Sequence, residues 1–360
     1  MKHILSLFIV IFPLLISAQE SIVIGHKEKL YSETLNEERN YWIYLPPSYQ
    51  DNNYGKASYP VIYLLDGDTH FTTAVAIQKT FTRGMYNNMP ECIIVGILNT
   101  DRSRDLTPSK SSFKHNGKVL FENSGGANQF STFIQQELRH QIDSLYRTNG
   151  YNILIGHSFG GLFTINTLLD HPLSFNAYIA IDPSLWWNNS ETYIKAESKW
   201  KETQFLNRFL YIAMAQEDQA EDKQQHSSTI KQFCTHLIDS KQTNNLTAAW
   251  KYYAAENHGT VIMPGIFYGL KTLFEGMELP VKEIPNNPKL IEEQYRKLSR
   301  KLHFNFIPDE ILIENLAKYA ISVDRKDSAL ELYEYNCKNY PDSHNAQKNK
   351  SKITSPLTTK

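Results

Sequence analysis

The stretch YNILIGHSFGG, Tyr151 to Gly161, decides how this 360-residue chain folds. Its apolar start reads as a strand. The run FGGLFTINTLLD (159–170) that overlaps its end reads as a helix. Between them stands Gly156-His157-Ser158-Phe159-Gly160, the G-x-S-x-G pattern of a serine held on a sharp strand-to-helix turn. That turn needs a positive φ at the serine, with glycines two residues to either side so that neighbouring backbone can approach. The alternative is an ordinary glycine-rich turn, so the partners a nucleophilic serine requires must be sought elsewhere in the chain.

Working outward, apolar β-rich runs recur at VIYLL (61–65), CIIVGIL (92–98), NILIG (152–156), YIAI (178–181) and FLYIAMA (209–215). None alternates strictly, as expected for central strands buried on both faces. Helical segments such as GANQFSTFIQQELRHQIDSLYR separate them. This alternation predicts an α/β fold, a mostly parallel sheet flanked by helices. NYWIYLPPSY (40–49) reads instead as an edge strand ending at a Pro-Pro turn. After Pro280 only helical periodicity remains, and ALELYEYNCKNYP ends a helix pair like a single tetratricopeptide unit. One such unit cannot bury its own apolar face, so it should dock on the main domain or on a protein partner.

The first residues, MKHILSLFIVIFPLLISAQE, have the lysine, apolar run and small residues of a secretory signal peptide cut near Ala18. The expected organisation is therefore a signal over 1–18, a catalytic domain over 19–280, a helical extension over 281–342 and a disordered tail over 343–360. The mature chain is expected in the periplasm or outside the cell, without a membrane span. The 37 Lys+Arg against 38 Asp+Glu give a net charge of -1 and no basic stripe, which argues against nucleic acid as partner. Cys92, Cys234 and Cys337 are far apart and odd in number, so they read as structural. No CxxC pair occurs, and none of the 12 histidines falls in an HExxH pattern, so no metal or organic cofactor is expected.

A serine hydroxyl needs a base, and the base needs a carboxylate to hold it. His258 follows the strand-like AAWKYYAAE and opens the helical run ENHGTVIMPGIFYGLKTLFEG, which makes it the candidate base. The acid is sought just after FLYIAMA, where Asp218 is the first candidate and Glu217 the alternative. The oxyanion needs backbone donors, taken to be the N–H groups of Phe159 and Asp68; Gly67 lets the second loop turn tightly.

At this point YLPPSY, YLLDGDTHF, NTDRSRDLTP, GHSFGGLF, IDPSLWW and ENHGTVIMPGIFYGLKTLF together resemble the esterase-D-like esterases of the α/β-hydrolase fold. The group includes siderophore (enterobactin-type) esterases, S-formylglutathione hydrolases, feruloyl and acetyl-xylan esterases and mycolyltransferases. The likeness runs from about 22 to 278. It implies Ser158 as nucleophile, His258 as base, Phe159 and Asp68 as oxyanion donors, and an acid near 218. Ala215 stands where relatives often have glycine, which leaves Asp218 and Glu217 both open. NTDRSRDLTP and IDPSLWW look most like the siderophore-esterase branch. Arg102 and Arg104 would then meet anionic or catecholate groups, and Trp186 and Trp187 aromatic rings. The plainer alternative is arginines that pair with Asp101 or Asp105 to hold a loop and tryptophans that pack under a lid. The expected activity is that of an exported serine carboxylesterase acting on a small-molecule or glycan ester. Its rivals are a carbohydrate acyl esterase, transfer to an acceptor other than water, and a non-catalytic hydrolase-fold binding protein.

Overall fold

The computed structural model describes residues 21–216, 225–239 and 244–354. The expected signal segment therefore lies outside the described residues, as does the last part of the tail. In chain order the elements are β1 (His26–Ser32), β2 (Glu37–Tyr44), β3 (Tyr59–Leu64), α1 (Gly67–Phe81), β4 (Ile93–Ile97), α2 (Arg102–Leu106), β5 (Lys114–His115) and β6 (Lys118–Val119). There follow α3 (Ala127–Thr132), α4 (Arg139–Leu145), β7 (Thr148–His157), α5 (Phe159–Asp170), β8 (Ala177–Ile181), α6 (Trp187–Glu202) and β9 (Arg208–Ala215). The chain continues through α7 (His226–Phe233), β10 (Leu246–Tyr253), α8 (Ile262–Leu273), α9 (Leu290–Leu302), α10 (Glu310–Ser322), α11 (Lys326–Asn339) and α12 (His344–Thr354).

Eight strands form one sheet in the order β1-β2-β4-β3-β7-β8-β9-β10. The β1–β2 and β2–β4 pairs are antiparallel, and all the others are parallel. The five apolar runs are β3, β4, β7, β8 and β9, with hardly a residue of them exposed. Burial on both faces explains why they do not alternate. The chain leaves β3 toward β4 on one side and β7 toward β8 on the other, so a crevice opens at the C-terminal ends of β3 and β7, where α/β sheets place their ligands.

Two apolar cores cover the sheet. One packs Phe71, Ile77, Leu270 and Leu273 with Leu298, Leu312, Leu316 and Leu332, so the C-terminal helices share a core with the main sheet. The other gathers Phe133, Leu162, Phe163, Trp187 and Trp200. Part of the tail expected to be disordered is α12. It is held because Ser343 Oγ donates to Glu310 Oε1 at 2.6 Å and Asn345 Nδ2 to Glu314 Oε2 at 2.8 Å. These are side-chain anchors that a compositional reading cannot register. Cys92, Cys234 and Cys337 are free thiols, the first two buried.

Candidate active site

Ser158 stands between β7 and α5 with φ 59° and ψ -116°, a conformation a side chain adopts only under strain. The turn is fixed on both sides. Ser158 N–H donates to Ile181 O at 3.0 Å, and its own carbonyl accepts from Ser184 N–H at 3.0 Å. The glycines are required by contact: a Cβ on Gly156 would lie 2.2 Å from Gly160 O, and one on Gly161 would lie 2.9 Å from Pro183 Cα. Ser158 Oγ is 3.2 Å from Ser184 Oγ.

His258 is exposed, in the loop between β10 and α8. Asn257 Oδ1 organises that loop by accepting the N–H groups of Gly259 and Thr260. His157 Nε2 donates to the His258 carbonyl at 2.9 Å, and the two rings lie 4.6 Å apart, so His258 is tied to the residue preceding Ser158. His258 Nδ1 lies 2.6 Å from Asp182 Oδ2. With Nδ1–H committed to a carboxylate, Nε2 is the nitrogen free to take a hydroxyl proton.

The carboxylate at His258 is thus Asp182, at the end of β8, in the place the sequence reading gives to Asp218 or Glu217 after β9. Those two lie outside the described residues. The physical reason is the parallel pairing of β8 with β9, which sets Ile181 opposite Ala213 and ends both strands at one edge of the site. Asp182 then turns inward with φ 42°. It is 2% exposed, its Oδ1 accepts Ala215 N–H at 2.9 Å, and its Oδ2 also accepts from His226 Nε2 at 3.0 Å. Burial pushes its carboxyl up, but the donors from His226, His258 and Ala215 outweigh burial and leave it well below the usual carboxylate range. Asp182 is therefore held as the carboxylate at neutral pH. Its signal was present in IDPSLWW, an acid directly after an apolar strand.

The expected oxyanion donors sit at two helix starts, where backbone N–H groups lack partners within the helix. Phe159 opens α5, and Asp68 is the second residue of α1, after Asp66 in the left-handed region at φ 53°. The two starts abut, because a Cβ on Gly160 would lie 3.3 Å from Asp66 Oδ2. Gly67 has no room for a side chain: a Cβ there would lie 2.4 Å from the Gly96 backbone. Arg102 ties the two loops together. It donates to Asp66 Oδ1 at 2.6 Å, to Asp66 Oδ2 at 3.0 Å and to His157 O at 3.2 Å, while its guanidinium lies 5.4 Å over the Phe159 ring.

Arg104 is placed differently. It pairs with Glu37 and with Asp105 at 2.7 Å, and it faces an open groove of ≈ 600 Å³ that includes neither Ser158 nor His258. Trp187 is buried, with Nε1 donating to Ser109 Oγ, whereas Trp186 is half-buried. Both belong to an aromatic wall beside the nucleophile. Phe159 meets Trp187 at 5.2 Å and Phe121 at 5.5 Å, and Phe113 meets Trp186 at 5.2 Å. Phe121 follows the β5–β6 hairpin, which sequence reading did not single out.

Asp182, His226 and His258 bring donor atoms within 4.8 Å of one another, a grouping that could hold a metal ion. Two ligands of one tetrahedral zinc stand about 3.4 Å apart. The 2.6 and 3.0 Å contacts are those of hydrogen bonds onto one carboxylate oxygen.

A family model described as "Putative esterase" matches residues 32–258. The chain belongs to this esterase family. It is a serine hydrolase acting on carboxylic esters. The ferri-bacillibactin esterase of Bacillus subtilis is 31% identical over 63% of this chain and 82% of its own length. A siderophore enterobactin esterase of Emericella nidulans is 28% identical over 59% and 81%. Among solved structures, an IroE-like serine hydrolase from Shewanella oneidensis superposes with a TM-score of 0.77 at 30% identity, covering 87% of this esterase and 98% of that chain.

Proposed function

We propose that the esterase hydrolyses siderophore esters through an acyl-enzyme on Ser158, with His258 as base and Asp182 as its orienting acid. The observation that carries the mechanism is the 2.6 Å contact between His258 Nδ1 and the buried, ionised Asp182, next to a nucleophile on a strained turn. His258 Nε2 takes the Ser158 proton as Oγ attacks the ester carbonyl. The N–H groups of Phe159 and Asp68 receive the developing oxyanion. His258 then protonates the leaving alcohol, and water activated by the same ring releases the acid.

The siderophore reading rests on relatives named for that substrate and on the surface beside Ser158. Trp186 and the 39% exposed Phe121 offer faces for catechol rings, and the hairpin before Phe121 exposes Lys114 and Lys118, cations suited to an anionic ferric complex. Arg102, expected to meet the substrate, has its guanidinium on Asp66 and the His157 carbonyl and serves here as a brace for the oxyanion loops. Export through the segment 1–18 belongs to the same proposal; among the described residues no helix is long and apolar enough to cross a membrane.

Turnover of a catechol trilactone, iron-free and iron-loaded, is compared with that of feruloyl and acetyl sugars on one preparation. The trilactone is expected to have the highest kcat/KM, and Ser158→Ala to lower it by about 10⁴-fold or more. A preference for the acyl sugars would overturn the substrate, and undiminished turnover by Ser158→Ala would overturn the mechanism.

A further inference from the structure

Asp182 serves two histidines. Its Oδ2 accepts from His258 Nδ1 at 2.6 Å and from His226 Nε2 at 3.0 Å, and the two rings meet edge to face with centroids 5.1 Å apart. His226 opens α7, 44 residues beyond Asp182, and the mechanism above gives it no task. Its Nδ1 is buried and, among the described residues, has no hydrogen-bond partner. Among the described residues the ring's polar contact is thus the catalytic carboxylate, which places a proton on Nε2. We infer that His226 is a positioning residue of the esterase, a second donor that holds the Asp182 carboxylate in the plane from which it orients His258.

The geometry gives this contact a specific consequence. Ala215 N–H fixes Oδ1, but a carboxylate anchored at one oxygen can still swing about its Cβ–Cγ bond. His226 fixes the second oxygen from a direction other than that of His258. The orientation of Oδ2 then survives the moment when Ser158 passes its proton to His258 and the imidazolium shifts. Without His226 the carboxylate would follow the ring, and the ring would lose its aim. Partners of this outer kind alter activity by about 10- to 100-fold when removed.

The inference rests on the triad assigned above, so its test separates the two. Reaction of wild-type protein and Ser158→Ala with a fluorophosphonate tests the triad itself: labelling of the wild type only is required. Against that reference, His226→Leu is expected to lower both the labelling rate and kcat for a p-nitrophenyl ester about 10-fold, with KM within about twofold. His226→Gln, whose amide N–H reaches the same oxygen, is expected to recover most of the loss. In an Asp182→Asn background His226→Leu should change kcat less than twofold, because the two residues act as one unit. In the wild type the low-field proton resonance of His258 Nδ1–H should be present, and His226→Leu should shift it while His226→Gln restores it. The inference is overturned if folded His226→Leu labels at the wild-type rate. It is equally overturned if His226→Leu is as harmful beside Asp182→Asn as alone, or if a folded His226→Gln is no better than His226→Leu. Should His226→Leu fail to fold, the His226→Gln resonance and rate decide.

Discussion

At the scale of single residues, the polar groups of the site are each given a fixed task by their partners. His157 illustrates this. Burial, followed by the neighbouring His258 and His70, lowers its pKa to about 4, while its Nε2–H is spent on the His258 carbonyl. In the unfolded chain the same imidazole takes a proton near pH 6.5. Between these values the unfolded state binds more protons, so the stability His157 contributes is complete above pH 6.5 and is lost as pH falls toward 4. The loss should reach roughly 3 kcal/mol. Urea unfolding at pH 7.5 and pH 4.5 measures it, and His157→Gln should flatten this part of the profile; an unchanged slope in the variant would contradict it. Ser158 was singled out by its motif and His258 by its place after a strand and before a helix, and each candidate carries a structural requirement. Asp182 escaped because an acid after a strand carries no periodic signal, and in the sequence carboxylates follow both of two successive apolar runs. The acid was decided by which strand end faces His258, a tertiary fact.

At the scale of elements, the oxyanion loops depend on a brace that joins segments distant in sequence. Arg102 at the start of α2 holds Asp66 before α1 and the His157 carbonyl before α5. A planar guanidinium can engage both Asp66 oxygens and the carbonyl together, and an ammonium cannot. Arg102→Lys should therefore lower kcat about 10-fold with little change in KM, since the brace positions donors that act on the transition state. A variant with raised KM and normal kcat would instead mark Arg102 as a direct substrate contact. The strands were legible because burial on both faces writes continuous apolar runs. The brace was not, because an arginine's partner 36 residues upstream is invisible to local pattern. The β5–β6 hairpin was missed for another reason: its strands are two residues long, and only Asn116-Gly117, both at positive φ, marks its turn.

At the scale of the whole molecule, the helices beyond Pro280 are part of the structure that supports the site. Glu310 is buried where α10 meets the main domain, accepting from Gly55 N–H at 2.6 Å and from Ser343 Oγ. Glu310→Ala strands these donors, at a cost of about 2 kcal/mol. Tm should fall by about 3–6 °C with kcat unchanged, and a loss of kcat without a loss of Tm would tie this junction to catalysis instead. The sheet does the decisive work. It carries Ser158 after β7, Asp182 after β8 and His258 after β10 to the same end of the sheet, whereas the sequence reading placed the acid after β9. Measuring kcat/KM of Asp182→Asn and Asp218→Asn on the same ester tests this most directly. Asp182→Asn should lose about 10³- to 10⁴-fold, with Asp218→Asn within about threefold of wild type; the reverse ranking would contradict the account.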